Sequence, residues 1–278
     1  QKIISLPHSL IERILRQNKI KINKKKVKSS YRLQSGDLIE IYDISKFKAK
    51  DKIKKIKYKP KKKELSRYDN YIIENNENFI VVNKPAGIPV QSGTKSFKNI
   101  TDLLKNSKYF EGSKPFIVHR IDKETSGILI IAKNRKYAQL FTSLFRIRKI
   151  HKTYLALTYG KINNPVKSMR DNLVYFENNK KITQKAISNI KIIKSNDELS
   201  YVELNPITGR KHQLRKQLLN LGNPIIGDDK YYLANFRKIK TKNLMLHAYK
   251  IKFMINNVQY NFKAKYNNSF EQLLKEKF

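Results

Sequence analysis

Residues 46–63, KFKAKDKIKKIKYKPKKK, are the stretch that most limits how this chain can fold. Lysine recurs so densely that neither a helix nor a strand drawn through the segment has an apolar face to bury. The run reads as a solvated basic linker. It predicts three parts: a small module over residues 1–45, the linker over 46–70 and a large domain over 71–278. Residue 1 is Gln, so a true start upstream of it is expected.

In the small module, Ile11, Ile14 and Leu15 share one helix face, while Arg13, Arg16 and Lys19 give the helix a basic outer side. The segment that follows alternates in short runs, and Ser35-Gly36-Asp37 signals a hairpin. The large domain opens with YIIENNENFIVV, a strand, an Asn-rich turn and a second strand. Strand-like runs recur at 115–132, 154–160, 187–193, 201–204 and 251–262, with helical patterns near 135–149 and 210–221. Strands come in neighbouring pairs, which predicts an α+β fold: a mainly antiparallel mixed sheet flanked by helices. No dinucleotide or phosphate-loop glycine pattern occurs.

Charge narrows the class of partner. Sixty Lys and Arg against 22 Asp and Glu leave a net charge of +38, an excess suited to a polyanion and most often to nucleic acid. Part of the lysine count is compositional drift, but drift toward lysine does not remove carboxylates. The apolar runs are too short to span a bilayer, so no membrane partner is expected. There is no cysteine, which excludes disulfides and thiolate metal sites. The five histidines lack ligand spacing, and neither a metal nor a cofactor is expected.

One polar segment interrupts the apolar strands. HRIDKETSG, residues 119–127, sits between FIV and ILIIA. Extended backbone puts Arg120 and Asp122 on one side, with His119 and Ile121 on the other. Thr125 and Ser126 suit a bend, and Gly127 permits a close approach of another chain. A carboxylate on a turn anchored by a buried strand is well placed as nucleophile or base.

HRIDKETSG resembles the signature of the RluA-type pseudouridine synthases, which isomerise uridine in ribosomal and transfer RNA. The family's other motifs follow in order: NKPAGIPV at 83–90, KTYLALTYG at 152–160, NPITGRKHQLR at 205–215, NPIIGDDKYY at 223–232 and LHAYKI at 246–251. The resemblance spans the large domain. The helix and small basic sheet before it resemble an S4-like RNA-binding module with a shortened first helix, as in the branch acting on large-subunit ribosomal RNA, and the pattern is most similar to its C-type members.

The resemblance implies that Asp122 is the catalytic carboxylate, either attacking the substrate covalently or removing a sugar proton; the residues leave both open. It implies that Arg215 pairs with Asp122, that Tyr154 lies against the uracil and takes the C5 proton, and that Arg120 fills the gap left by a flipped nucleotide. Ile251 would line the uracil pocket, and Arg13, Arg16 and Lys19 would contact RNA. Two positions depart from the pattern: Gln91 where His is common, and Lys216-Gln217 where many relatives carry His second. Asp228 and Asp229 read as holding the loop before Tyr231. The expected partner is ribosomal RNA, the expected state a monomer, and the expected compartment the bacterial cytoplasm, with an organelle as the alternative. A non-catalytic RNA-binding or ribosome-assembly factor, or a ribosomal component, is the competing reading.

Overall fold

In the computed structural model, residues 8–43, 60, 68–91, 98–110, 113–162, 167–177, 180–236 and 239–278 are described. Most of the basic linker predicted at 46–70 lies outside them. The chain divides into two compact units, Gln1–Lys57 and Tyr58–Phe278.

The first unit is a helix and a three-stranded sheet. The helix α1 (His8–Arg16) buries Ile14 completely, while Arg13 and Arg16 are exposed. Strands β1 (Ile20–Ile22), β2 (Lys25–Lys26) and β3 (Ile39–Ile41) pair antiparallel in the order β2-β1-β3. The tight hairpin turn is Asn23-Lys24, both with positive φ (50° and 62°), which matches the twist of a two-residue connection. The expected turn at Ser35-Gly36 forms, with the Asp37 amide donating to the Gln34 carbonyl at 3.2 Å, but it joins strands that each pair with β1 and not with one another.

The second unit is built on a ten-stranded mixed sheet. Strands β4 (Ile72–Asn75) and β5 (Phe79–Lys84) form the predicted pair, turned by Asn76, whose side chain accepts from the Asn78 and Phe79 amides. The predicted run at 115–132 is two strands, β6 (Phe116–Ile117) and β7 (Ser126–Ala132), paired antiparallel. Residues 118–125 are therefore the connection of a hairpin, because the charged side chains of Arg120, Asp122, Lys123 and Glu124 cannot be buried unpaired on a ladder. Then come β8 (His151–Tyr159), β9 (Ser168–Glu177), β10 (Lys180–Ser195), β11 (Leu199–Pro206), β12 (Leu246–Ile255) and β13 (Val258–Lys263). The order is β4-β5-β7-β12-β8-β11-β10-β9, with β13 on β12 and β6 on β7; β7 and β12 run parallel and the other pairs antiparallel.

Among the described residues, the α-helices α2 (Ile100–Lys105), α3 (Arg135–Arg146), α4 (Gln213–Asn220) and α5 (Asn268–Lys277) pack on this sheet. Their apolar sides explain why β5 and β7 are buried on both faces. Phe79, Val81, Ile128 and Ile130 meet Phe141 of α3, while Ile80, Val82, Leu129 and Ile131 meet Leu103 and Leu104 of α2. Asn99, Asn134 and Asn267 cap three of the helices, each accepting from an amide three residues on. The parallel β7–β12 junction requires Gly127: at φ +108° a side chain there would overlap the backbone of Ala248.

Candidate active site

The loop 118–125 is fixed at both ends. At its start, His119 Nε2 accepts a hydrogen bond from the Ile130 amide at 2.8 Å, and its ring stacks on Phe145 at 4.6 Å. Burial, assisted by the Lys152 charge, pulls this imidazole down to about 3, so it is the neutral acceptor that the geometry needs. At the other end, the fully buried Lys84 donates to the carbonyls of Pro85 and Ile88 at 2.9 Å and of Lys123 at 3.0 Å. These acceptors use all three donors of an ammonium. Burial pulls Lys84 down to about 7 while Glu124 and Asp122 push it back up. Ser126 Oγ lies 2.8 Å from His247 Nδ1, linking β7 to β12 beneath the loop.

Asp122 stands on this loop with its carboxylate 28% exposed to a cleft of about 820 Å³. Its oxygens lie 3.7 Å from Arg215 Nη1 and 3.9 Å from His212 Nε2. Arg215 is shared between Asp122 and a second carboxylate. Its Nε and Nη2 donate to Asp228 at 2.6 and 2.7 Å, so the guanidinium is clamped by Asp228 and offers its remaining edge to Asp122. The reason is burial: the Asp228 side chain is fully enclosed and must have a cation, whereas Asp122 faces the cleft. Asp228 also accepts from the Lys230 and Tyr231 amides at 2.9 Å, so it does hold the loop before Tyr231.

His212 adopts the left-handed conformation at φ 53° just ahead of α4, which turns its ring toward Asp122 and starts the helix later than the sequence pattern predicts. Its Nδ1 is 2.9 Å from the Tyr231 hydroxyl; when that hydroxyl donates, the imidazole proton sits on Nε2, directed at Asp122. Burial lowers the His212 pKa against the opposing pull of Asp122. Tyr154 on β8, register partner of Ala248, lines the same cleft; burial and then the Asp122 charge hold its phenol protonated well above the usual range.

Arg120 is exposed at the cleft wall, and Arg146, Arg148, Lys152 and Arg210 add further cations. Ile251 is not in the cleft. It is 2% exposed and packed with Ile128, Ile130 and Phe141, because α3 covers this part of the sheet; Leu246 of the same strand lines the cleft instead. Arg13, Arg16 and Lys19 belong to the first unit, where Lys19 pairs with Asp43 at 2.6 Å. Sequence reasoning assigned no role to Lys84, His119 or His212, although all three stand in the quoted motifs. Among the described residues, no group of three or more His, Asp or Glu could hold a metal ion.

A family profile described as RNA pseudouridylate synthase matches residues 78–220, the span from β5 through α4 that carries Asp122, Tyr154, His212 and Arg215. This chain belongs to the RNA pseudouridylate synthase family. A ribosomal large subunit pseudouridine synthase C from Rickettsia felis is 37% identical over 258 residues, covering 87% of this chain and 82% of the relative. One of the same description from Buchnera aphidicola is 34% identical, covering 89% and 81%. The solved structure of human RNA pseudouridylate synthase domain containing 4 superposes with TM-score 0.63 at 26% identity, over 76% of this chain and 94% of that one. The protein is an RNA pseudouridine synthase, and its fold is the mixed-sheet α+β fold of that family.

A pseudouridine synthase detaches uracil from the ribose at N1, turns it and rejoins it at C5. No electrons are gained or lost. The cleft holds a carboxylate beside a fixed cation, a protonated phenol and a rim of positive charge, in a volume within the range that encloses a small ligand.

Proposed function

We propose that this enzyme isomerises specific uridines of large-subunit ribosomal RNA, with Asp122 as the catalytic carboxylate acting on a uridine flipped into the cleft. The observation carrying the reading is Asp122 on a doubly anchored loop, facing Arg215 and His212 across an open cleft. The names of the bacterial relatives support the ribosomal substrate.

In this reading Arg215, pinned by Asp228, stabilises the Asp122 carboxylate and any negative charge that develops on the substrate. Tyr154 packs against the uracil ring, and a base is needed late in the reaction for the C5 proton. A phenol held so firmly protonated, by burial first and by the Asp122 charge second, would fill that role only once its proton can pass to Asp122. Arg120, exposed at the cleft wall, enters the stack vacated by the flipped nucleotide. Residues 1–45 act as an S4-like RNA-binding module joined by the basic segment 46–70 to the catalytic domain 71–278. The exposed Arg13 and Arg16 of α1 support that role. The protein works as a monomer in the bacterial cytoplasm, where ribosomes assemble.

The test is release of tritium from a transcript of bacterial large-subunit ribosomal RNA labelled at uridine C5, since the rearrangement displaces that hydrogen. Time-dependent release in proportion to a small number of sites per transcript is expected. No release at stoichiometric enzyme would overturn the proposal.

A further inference from the structure

The hairpin of β9 and β10 ends in a second groove, separate from the cleft, and Lys216 of α4 lies in it. Lys216 adjoins Gln217, where the sequence departs from the family pattern. Its ammonium sits 4.3 Å over the Tyr175 ring and donates to the Val174 carbonyl at 3.0 Å, which leaves two donors open. Lys211 and Lys230 line the same groove, and no carboxylate among the described residues does. The three ammoniums are close enough that Lys211 and Lys230 oppose the protonation of Lys216, though less than its own burial does. Gathering like charges costs stability unless an anion joins them. Beside them Phe176 is 77% exposed with no aromatic partner among the described residues. An isolated exposed ring of that size next to cations is the pattern of a base-stacking platform over a phosphate track.

The groove is continuous with the catalytic machinery. Tyr231 lines it, receives the Arg215 guanidinium 5.0 Å over its ring, and meets His212 through its hydroxyl; Lys211 adjoins His212 in sequence. A strand leaving the cleft past His212 therefore runs onto Lys211, Lys230 and Lys216.

We propose that this groove binds a single-stranded segment of the substrate RNA flanking the target uridine, its phosphates on Lys211, Lys216 and Lys230 and one unstacked base on Phe176. The proposal rests on the RNA-isomerising reading and adds to it where the flanking nucleotides lie. Phosphates explain the three cations, and a base explains the exposed ring; an acidic peptide would explain only the first.

Filter binding of the full chain to a large-subunit ribosomal RNA transcript, over a salt series, tests it. Phe176→Ala is expected to weaken binding about tenfold and Phe176→Tyr to restore it, since one base on one ring is at stake. Lys211→Ala with Lys230→Ala is expected to lower the slope of log K against log salt by about 1.4, at about 0.7 per single-strand phosphate. All three residues are exposed, and thermal melts at wild-type temperature exclude misfolding. Wild-type affinity and slope in both variants, or equal loss in Phe176→Ala and Phe176→Tyr, overturns the groove. Tritium release by the wild-type protein on the same transcript is read in parallel. If release occurs while the variants bind normally, the groove fails and the enzyme reading stands; if release is absent, the enzyme reading fails whatever the binding shows.

Discussion

Replacing Asp228 by Asn probes how the site is held. The Asp228 side chain is fully enclosed and takes two hydrogen bonds from Arg215, at 2.6 and 2.7 Å, with two more from backbone amides. Asparagine keeps the oxygen that faces Nη2 and the amides but turns an NH₂ toward the Arg215 Nε–H, donor against donor. Arg215 is itself buried at 6% exposure, so its charge loses its main counterion without gaining water. Removing one partner of such a pair costs about 3–5 kcal/mol, and the retained bonds place this change near the lower end, at about 3 kcal/mol. With a denaturant slope of about 3 kcal/mol/M for urea, the midpoint should fall by about 1 M. The guanidinium also loses the clamp that keeps Nη1 3.7 Å from Asp122, so kcat should drop at least about tenfold, the equivalent of about 1.4 kcal/mol. Replacing the pair by apolar residues, Arg215→Met with Asp228→Leu, should recover most of the stability and none of the activity. A urea midpoint for Asp228→Asn within about 0.2 M of wild type would refute the claim that this pair is an enclosed clamp.

Three further outcomes follow. Acid should destabilise the fold through its neutral histidines: burial holds His119 at about 3 and His247 at about 4 against an ordinary 6.5, so the unfolded chain binds protons first. Their stability is fully present above 6.5 and is lost as pH falls toward those folded values, which urea midpoints across that window would record; His247→Gln should flatten the slope. Gly127→Ala should cost about 3 kcal/mol, from positive φ and overlap with the Ala248 backbone, and urea denaturation should detect it. Lys84→Met keeps the volume but strands three carbonyls, and should lower both the melting temperature and the rate of tritium release; loss of neither would mean that Lys84 does not anchor the loop.

The sequence made the sheet and the helices legible wherever apolar period and turn chemistry agreed, as in the Asn-turned pair β4–β5 and in α3 behind its Asn134 cap. It misread places where polar side chains override period. His119 and Asp122 pull 118–125 out of a run that looks like one strand, and Asn23-Lys24, not Ser35-Gly36, supplies the hairpin because Asn and Lys there take left-handed backbone. At the site, the motifs marked Asp122, Tyr154 and Arg215, and the structure brings the three to one cleft. They did not reveal that Arg215 is clamped by Asp228, since that partner arrives from a loop 13 residues on and only burial decides which carboxylate claims the cation. Ile251 failed as a pocket residue because alternation along a strand does not say which stretch a helix covers. His212 was within a quoted motif, yet its left-handed turn toward Asp122 has no signature in a single sequence.

The most direct test of the account is pseudouridine mapping on total ribosomal RNA, by carbodiimide-induced reverse-transcription stops, in cells carrying the wild-type protein or Asp122→Asn. The account predicts that specific large-subunit stops disappear in the variant while the protein remains folded and bound to RNA. An unchanged stop pattern in the Asp122→Asn cells would contradict it.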